Sequence, residues 1–383
     1  MRNGQLSRRN FLRCLTVPLG HLLSAAKASE QRPLVGAIRW DAWYAPNSSV
    51  TEAVRESLAP AEYNWRLPFF ARKQNDASII FPEATQAEID LEIAQARFSG
   101  IDFWAFVAYD KIDPMSLALH YYLASSKPGS SLRFCMFTEL GRWGTADRIS
   151  PLVDEHIELM RQSKYVKVLG NRPLYFLGFI SKQIVNDRWG GPLRLRTAIK
   201  EFRRKSVHAG VGNPFIVLAG PLNELSTWSV LGGDAVGEYA ISKEVTAGKY
   251  AELTRVAEMG WNTLLRARLP VVPTVMAGWD RRPRIAHPVP WEKTQKPGVG
   301  IDRYFDTPRP NQLASHLSRA LHWIKSQPAK SQAPAALIYA WNENDEGGWL
   351  VPTKPCDTSR IQVLHENLNS GDKNQNPGCV VSR

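Results

Sequence analysis

The residues best suited to chemistry lie where an apolar run of strand length stops at Trp341 and a polar run begins. That polar run brings Glu343 and Glu346 close together in the chain, with Asp345 between them. Two carboxylates at one strand end suit general acid and base catalysis, because burial and mutual repulsion drive their pKa values apart. We therefore take Glu343 and Glu346 as the candidate catalytic pair. The alternative interpretation is a solvated acidic loop.

Further candidates follow other apolar runs in the same way. Glu139 ends one such run, although an ordinary ion pair with Arg142 would also explain it. Glu238 and Tyr239 end another, where a loop or helix-capping acid is the simpler interpretation. The expected substrate-binding residues are Glu139, Trp40, Asp41, Tyr239, Trp279, Asp280 and Asn342.

Signals for several other chemistries are missing from the sequence. The histidines show neither H-x-H nor H-E-x-x-H spacing, no G-x-S-x-G occurs, and no G-x-G-x-x-G follows the first apolar run. We therefore expect neither a metal nor a cofactor. The basic group Arg281, Arg282 and Arg284 leaves two interpretations open: an exposed basic loop, or a site for an anionic or hydroxyl-rich ligand.

The elements that would position these residues are eight apolar runs of strand length. They are nearly continuous rather than alternating, which is typical of parallel strands buried on both faces. Helical spacing separates several of them, as in Leu313, Leu317, Leu321 and Ile324. The pattern predicts an α/β fold, a single (β/α)8 TIM-type barrel, with an open doubly wound sheet as the alternative. The runs are residues 34–40, 103–109, 132–138, 174–178, 215–219, 235–239, 271–276 and 336–341.

Two connections between these runs are long, namely residues 41–82 and 277–308. Long connections in a compact domain are usually functional or disordered. In a β/α barrel, the loops that follow the strands build the active-site face. We therefore expect both segments to lie at the site.

The first 28 residues resemble a twin-arginine export signal, and a cationic, disordered N-terminal tail is the alternative interpretation. Arg8 and Arg9 precede an apolar stretch, and Ala26-Lys27-Ala28 resembles a small-residue cleavage site. The predicted division is a signal peptide over 1–28, a barrel domain over 29–355 and a polar C-terminal tail over 356–383. The expected partner is the twin-arginine translocation machinery, and the expected location is periplasmic or extracellular.

Part of the positive charge lies in the predicted signal, and without it the remaining charge gives no reason to expect a nucleic-acid partner. The 383-residue chain carries a formal charge of +12, and cleavage after Ala28 would remove five basic residues and no acid, which leaves +7. No stretch of eighteen apolar residues exists, so stable membrane insertion is not expected. An oxidising compartment permits a disulfide between Cys356 and Cys379, and the sequence leaves that question open.

Four segments resemble one known group of proteins. Residues 341–347, W-N-E-N-D-E-G, resemble the N-E-W-x-E-G motif of glycoside hydrolase family 99 and the related WbsX-type proteins. Residues 278–284, G-W-D-R-R-P-R, resemble the G-W-D-x-x-P-R segment of the WbsX-type group. Residues 36–44 and 172–176 are similar to its first and fourth strands. The four segments occur in the same order over about residues 34–353.

The resemblance implies a β/α-barrel enzyme that is endo-acting on glycans. Such an enzyme cleaves mannosidic bonds and retains the configuration at the anomeric carbon. It gives Glu343 the role of a base on the sugar 2-hydroxyl, which forms a 1,2-anhydro intermediate. It gives Glu346 the protonation of the leaving oxygen, and Glu139 the binding of substrate hydroxyls. Asn344 stands where the family has Trp, Gly348 where it has Thr, and Leu140-Gly141 where it has Pro-Tyr. Mannose specificity therefore does not carry over with the fold.

The sequence thus predicts an exported retaining glycoside hydrolase whose partner is a glycan, a polysaccharide or oligosaccharide, with a mannose-containing substrate as one candidate. The first alternative is an envelope-polysaccharide glycosyltransferase or transglycosylase of WbsX type. The second is a non-catalytic glycan-binding barrel. Thirteen Trp residues suit either, and five of them fall at or just beyond strand ends, where a sugar ring would stack: Trp40, Trp43, Trp279, Trp341 and Trp349.

Overall fold

The computed structural model describes residues 32–75, 78–126, 132–241, 245–369 and 374–381. The predicted export signal and its cleavage site lie outside these residues. The described residues from Pro33 onward form one compact unit. Within the described ranges, no helix is both long and apolar enough to cross a membrane.

Eight parallel strands form a barrel, and each of the eight predicted runs supplies one. The strands are β1 Leu34–Arg39, β2 Phe103–Val107, β3 Arg133–Glu139, β4 Arg172–Gly178, β5 Phe215–Ala219, β6 Ala235–Gly237, β7 Thr274–Met276 and β8 Ala335–Tyr339. They pair in the order β7-β8-β1-β2-β3-β4-β5-β6. A parallel bridge from Val236 to Val271 brings the two ends of this order together, so the barrel is nearly closed. The predicted (β/α)8 fold is confirmed.

Strand β7 is shorter than the run that predicted it. Pro270 and Pro273 lack the backbone N–H that a ladder requires, so regular pairing begins only at Thr274. This is where the barrel is held by a single bridge rather than by a continuous ladder.

Helices cover the outside of the barrel. The spacing of Leu313, Leu317, Leu321 and Ile324 predicts a helix that the structure confirms as α10, with three of the four side chains buried in the core. The α-helices of the described residues are α1 Ser49–Leu58, α2 Gln86–Ser99, α3 Leu117–Ala124, α4 Leu152–Leu159, α5 Lys182–Trp189, α6 Pro192–His208, α7 Leu225–Trp228, α8 Tyr250–Leu264, α9 Arg282–Ala286, α10 Pro310–Ser326 and α11 Ser359–Leu368.

The connections after β1, β7 and β8 carry the structure that surrounds the site. The first holds α1, the 3₁₀ helix Ala61–Arg66 and a hairpin of strands Arg72–Asn75 and Ser78–Ile80. The second holds α9. The third is a short hairpin of Asn342–Glu343 and Gly348–Trp349 around the 3₁₀ turn Asn344–Glu346.

The C-terminal segment differs from the predicted polar tail. Helix α11 buries Ile361 and Leu364, which lie three residues apart on one helix face, and it packs against α2 and α10. Cys356 and Cys379 form a disulfide with a Cα–Cα distance of 5.8 Å. This bond ties the segment beyond α11 back to the start of the helix, so the folded unit extends past residue 355.

We expect the disulfide to stabilise the fold by about 3 kcal/mol, because it closes a loop with a sequence separation of 23 residues in the unfolded chain. Guanidinium unfolding of the Cys356→Ser variant should show this loss. Reductant should destabilise the parent protein to the same degree and leave the variant unchanged. Equal midpoints for the oxidised parent and the variant would contradict the expectation.

Glu238 follows β6 and points away from the barrel axis towards helix α8. A Cβ built on Gly260 would lie 3.0 Å from its Oε2, and among the described residues this oxygen has no hydrogen-bond partner. Burial raises the pKa of Glu238 to about 8. The folded protein therefore keeps a proton on Glu238 at pH values where the unfolded chain has already lost it.

Stability should consequently fall as pH rises from about 4.5, the ordinary pKa of a glutamate, to about 8. Glu238→Gln stays neutral throughout and should not lose this stability. The unfolding free energy of the variant should therefore rise relative to that of the parent by on the order of 4 kcal/mol over this pH range. Denaturant unfolding across pH measures the difference. Glu155→Gln, an exposed acid on α4, is the matched control, and parallel curves for parent and Glu238→Gln would refute the assignment.

Candidate active site

The polar run after β8 folds into the mouth of the barrel and is buried. The exposed fractions of Glu343, Asp345 and Glu346 are 3%, 0% and 8%. Three carboxylates at such burial need compensation from donors or cations. The solvated acidic loop, one of the two interpretations of this run, is therefore wrong.

Two glycines let the loops after β7 and β8 touch through their backbones. Gly278 has φ +146°, and a Cβ there would lie 2.0 Å from the carbonyl oxygen of Gly347. Gly347 has φ +86°, and its Cβ would lie 2.4 Å from the backbone nitrogen of Asp280. That nitrogen donates to the carbonyl of Glu346 at 2.7 Å. The two loops are thus fixed against each other directly beside the acids.

Arg284 of α9 compensates all three carboxylates. Its Nε lies 2.6 Å from Asp345 Oδ2, and its Nη2 lies 3.3 Å from Asp345 Oδ1 and from Glu343 Oε2. Its Nη1 donates to Glu346 Oε1. The guanidinium is almost completely buried, so one cation holds the acid cluster together.

Glu346 has the strongest set of donors in the cluster. Arg284 binds one oxygen together with Arg281, whose Nε lies 3.1 Å from it, and the Tyr339 hydroxyl donates to the other oxygen. Burial raises the pKa of Glu346, but the charges of Arg284 and Arg281 outweigh this effect. The pKa of Glu346 therefore lies below the ordinary value of a glutamate.

Glu343 has weaker compensation. The Tyr239 hydroxyl donates to its Oε1 at 2.7 Å, while the contact from Arg284 is long. Burial and the charge of Glu346 raise the pKa of Glu343 well above the ordinary value. The pKa values of the two glutamates are thus shifted in opposite directions. Such a difference allows one carboxyl group to act as an acid and the other as a base.

A buried ionic cluster lies beneath the catalytic candidates. Arg39 Nε lies 2.7 Å from Asp41 Oδ1, and its Nη1 lies 3.0 Å from Glu92 Oε2. The indole of Trp341 donates to Glu92 at 2.7 Å, and Asn342 Nδ2 donates to Asp41 at 3.2 Å. Burial raises the pKa of Asp41 to about 6, although Arg39 acts against it. This cluster ties β1 and α2 to the residues that lead into Glu343.

Asp41 and Asn342, both expected to bind substrate, are brought together by this cluster and are buried. Asn342 Oδ1 also accepts from the backbone nitrogen of Trp40 at 2.9 Å. Asp280, a third member of the expected set, lies against the guanidinium groups of Arg66 and Arg282, which contact both of its carboxylate oxygens. In this structure the polar atoms of all three hold loops in place.

Aromatic rings surround the mouth. Trp40 lies 5.7 Å from Trp291, centroid to centroid, and Trp279 lies 5.7 Å from Tyr339. Tyr239 packs against Phe179 at 4.9 Å. The structure thus brings three residues of the expected set to the acid cluster. Tyr239 contacts Glu343 itself, Trp279 packs on Tyr339, which contacts Glu346, and the Trp40 ring lies 5.0 Å from the Arg284 guanidinium.

Phe179 and Trp291, which pack on Tyr239 and Trp40, form an accessible aromatic rim that the sequence did not single out. The exposed fractions of Phe179 and Trp291 are 39% and 40%. Phe179 also adopts the left-handed region, with φ +55°, which is costly for a residue with a Cβ. Trp43, Trp341 and Trp349 are instead buried in the core, so the expectation that they stack on a sugar ring is wrong.

Glu139 lies at the end of β3 and is half-exposed. Its Oε2 is 3.8 Å from Arg142 Nε, and the Arg142 guanidinium lies 3.9 Å above the Tyr109 ring. Tyr109 in turn accepts a 2.7 Å hydrogen bond from the Trp40 indole. Glu139 therefore belongs to the same rim, with a loose ion pair that leaves it accessible.

The basic group after β7 is neither an exposed loop nor a free anion site. Arg281 contacts Glu346 and Glu292, Arg282 contacts Asp280, and Arg284 contacts the three buried acids. All three arginines thus form ion pairs with carboxylates of this chain. Within the described residues, no group of three or more His, Cys, Asp or Glu is arranged to hold a metal ion.

Sequence reasoning missed the partners that give the site its electrostatics. Asp345 and Arg284 were visible as members of an acidic and a basic run, but nothing in their spacing paired them. Tyr339 and the pair Arg39 and Glu92 lie inside apolar or helical runs, where neither spacing nor composition marks them. Only the fold brings these residues together.

The barrel is similar to that of an enzyme of known structure. The GH99 endo-alpha-mannosidase from Bacteroides thetaiotaomicron superposes with a TM-score of 0.52 at 13% sequence identity, over 88% of this chain and 95% of that one. A second structure of that enzyme, in complex with bis-tris propane, gives a TM-score of 0.49 at 14% identity over the same shares. No protein-family model and no curated protein sequence matches the chain. At this identity the first superposition establishes a shared fold.

Proposed function

We propose that this protein is a carbohydrate-active enzyme that hydrolyses glycosidic bonds, with Glu343 and Glu346 as its catalytic acid and base. The observation that carries the proposal is a pair of buried glutamates at the mouth of a β/α barrel with unequal donors: two arginines and Tyr339 contact Glu346, whereas Tyr239 and one long arginine contact reach Glu343. This difference shifts their pKa values in opposite directions. Acid and base catalysis of glycoside cleavage needs two carboxyl groups in different protonation states.

The rim supports a sugar as the ligand. Sugar rings present apolar C–H faces that pack on aromatic rings, and the accessible rings of Phe179, Trp279 and Trp291 lie around the acids, while Trp40 is buried against Trp291. Glu139 offers an accessible carboxylate for hydroxyl groups. The resemblance of four segments to glycoside hydrolase family 99 and the likeness of the fold to an endo-alpha-mannosidase support a glycan substrate, with a mannose-containing glycan as the first to test.

Export through the twin-arginine pathway to a periplasmic or extracellular location is part of the same proposal. The N-terminal sequence supports it, and so does the disulfide between Cys356 and Cys379, because disulfides persist mainly in oxidising compartments. Hydrolysis is preferred over glycosyl transfer from a nucleotide sugar, since such donors are made in the cytoplasm and the sequence shows no motif for them.

The test is a glycan-library screen of the protein lacking residues 1–28, with Glu343→Gln and Glu346→Gln beside the parent. We expect the parent to release new reducing ends, and each variant to lose about 10²–10⁴-fold in turnover on an unactivated glycan, the usual worth of a general acid or base. Glu155→Gln on the outer helix α4 should keep full turnover. Binding without turnover would instead indicate a glycan-binding barrel, and products longer than the substrate would indicate a transglycosylase.

A second prediction concerns Phe179. Replacement by Gly relieves the left-handed backbone but loses the packing of the ring on Tyr239, so the two effects oppose each other and the variant should unfold close to the parent midpoint in denaturant. It also removes an accessible aromatic ring, so KM should rise about tenfold with little change in kcat. An unchanged KM in the stable variant would exclude Phe179 from the substrate-binding rim.

A further inference from the structure

Arg142 differs from the arginines that follow β7 because no carboxylate holds it firmly. The Glu139 Oε2 atom lies 3.8 Å from its Nε, which is beyond hydrogen-bond distance. This nitrogen is buried and has no hydrogen-bond partner among the described residues. The side chain is 29% exposed, so the remaining N–H groups of the guanidinium can donate to a ligand.

A chain of three contacts connects Arg142 to the acid cluster. Its guanidinium lies 3.9 Å above the Tyr109 ring, and the Tyr109 hydroxyl accepts from the Trp40 indole at 2.7 Å. The Trp40 ring in turn lies 5.0 Å from the Arg284 guanidinium, which binds the three buried acids. Arg142 therefore lies at the mouth, on the side of β3.

A second cation without an acid partner lies beside the same turn. Arg188 of α5 donates from Nε to the carbonyl of Gly144 at 3.1 Å, and a Cβ built on Gly141 would lie 3.8 Å from its Nη1. The side chain is exposed, and within the described part of the chain no carboxylate lies at ion-pair distance from it. Since Gly141 directly precedes Arg142, both guanidinium groups flank one turn after β3.

The loop after β3 thus forms a basic lip, which we define as residues 139–148 together with Arg188 and Arg194. Four arginines and two acids give this lip a formal charge of +2, and one of the acids, Asp147, pairs with Arg194 at 2.7 Å. The arginines that follow β7 are instead bound to carboxylates of this chain. The charged residues of the lip are Glu139, Arg142, Asp147, Arg148, Arg188 and Arg194.

We propose that the basic lip recognises an acidic glycan, whose carboxylate or sulfate groups bind Arg142 and Arg188. The inference names the substrate class of the proposed function and rests on a glycan being the ligand of this mouth.

The geometry of Arg142 suits an anionic group. Stacking on Tyr109 fixes the plane of the guanidinium and leaves its edge, where the N–H groups lie, free to bind. A planar guanidinium binds a carboxylate or sulfate through two parallel N–H···O bonds, which are stronger than bonds to a neutral hydroxyl. A neutral sugar would leave Arg142 with no counter-charge closer than the loose contact with Glu139.

Glu139 is compatible with an acidic ligand. Its contact with Arg142 can open at little cost, because an exposed ion pair at 3.8 Å contributes little to stability. The half-exposed carboxylate can then accept hydrogen bonds from the hydroxyl groups of the same sugar. Recognition of one sugar unit would thus use a cation for its acid group and an anion for its hydroxyls.

The test measures binding of the full chain to acidic polysaccharides and to their neutralised forms. The probes are alginate, polygalacturonate and chondroitin sulfate, each beside its carboxyl-reduced form, and chondroitin sulfate also beside its desulfated form. We expect at least one acidic form to bind about tenfold more tightly than its neutralised partner at constant ionic strength. The group whose removal weakens binding identifies the recognised anion as carboxylate or sulfate. Equal affinities within every pair would overturn the proposal.

Arg142→Gln and Arg188→Gln test the two cations. Each should weaken binding of the acidic form about tenfold and leave binding of the neutralised form unchanged. Arg142→Lys keeps the charge but loses the planar fork, so its affinity should lie between those of the parent and Arg142→Gln. Arg266→Gln is the matched control, because Arg266 is an exposed arginine in the turn between α8 and β7, at the opposite end of the barrel.

The control separates specific recognition from the general attraction of a basic chain for polyanions. Equal losses in Arg266→Gln and the two lip variants would overturn the proposal. If Arg142→Gln does not fold, Arg188→Gln still decides, because its side chain is exposed. Preference for acidic forms without hydrolysis would support the recognition and count against the proposed function. Hydrolysis of neutral glycans with no preference for acidic forms would overturn this inference alone.

Discussion

The site depends on burying three carboxylates around one guanidinium. Uncompensated, such a cluster would be too costly to fold, and with Arg284 in place it becomes a rigid electrostatic unit. The same cation reaches the acids only because α9 begins directly after the contact between the loops of β7 and β8. The apolar core therefore positions the backbone, and this single cation compensates the charge of the buried acids.

A second charged cluster holds the segment that precedes the acids. Arg39 in β1 holds Asp41 and Glu92, and the indole of Trp341 and the amide of Asn342 bind to these acids. The segment that leads into Glu343 is thereby held by β1 and α2, while Arg284 of α9 holds the acids themselves. Polar residues at this depth restrict the site to one geometry, because any shift would leave a buried group without its partner.

The sequence was sufficient for the barrel, because continuous apolar runs predicted eight buried parallel strands. Glu343, Glu346, Tyr239, Trp40 and Trp279 were predicted from their positions at strand ends to lie together, and the structure brings them together, while their catalytic and binding roles stay predictions. It was insufficient for pairings over long separations, such as Arg284 with Asp345 or Trp341 with Glu92, since local periodicity carries no information about them. It also overestimated the number of accessible tryptophans, because an indole at a strand end can turn towards the core as readily as towards solvent.

The contact between Gly278 and Gly347 has a consequence for how such a site can diverge. The loop that carries the acids and the loop that leads to Arg284 meet through backbone atoms, so this contact makes no demand on the exposed aromatics Phe179 and Trp291. Descendants of this sequence can therefore exchange these two residues without losing the contact between the loops. The two glycines themselves admit no replacement, and across relatives of differing specificity they should be the most invariant positions of the mouth.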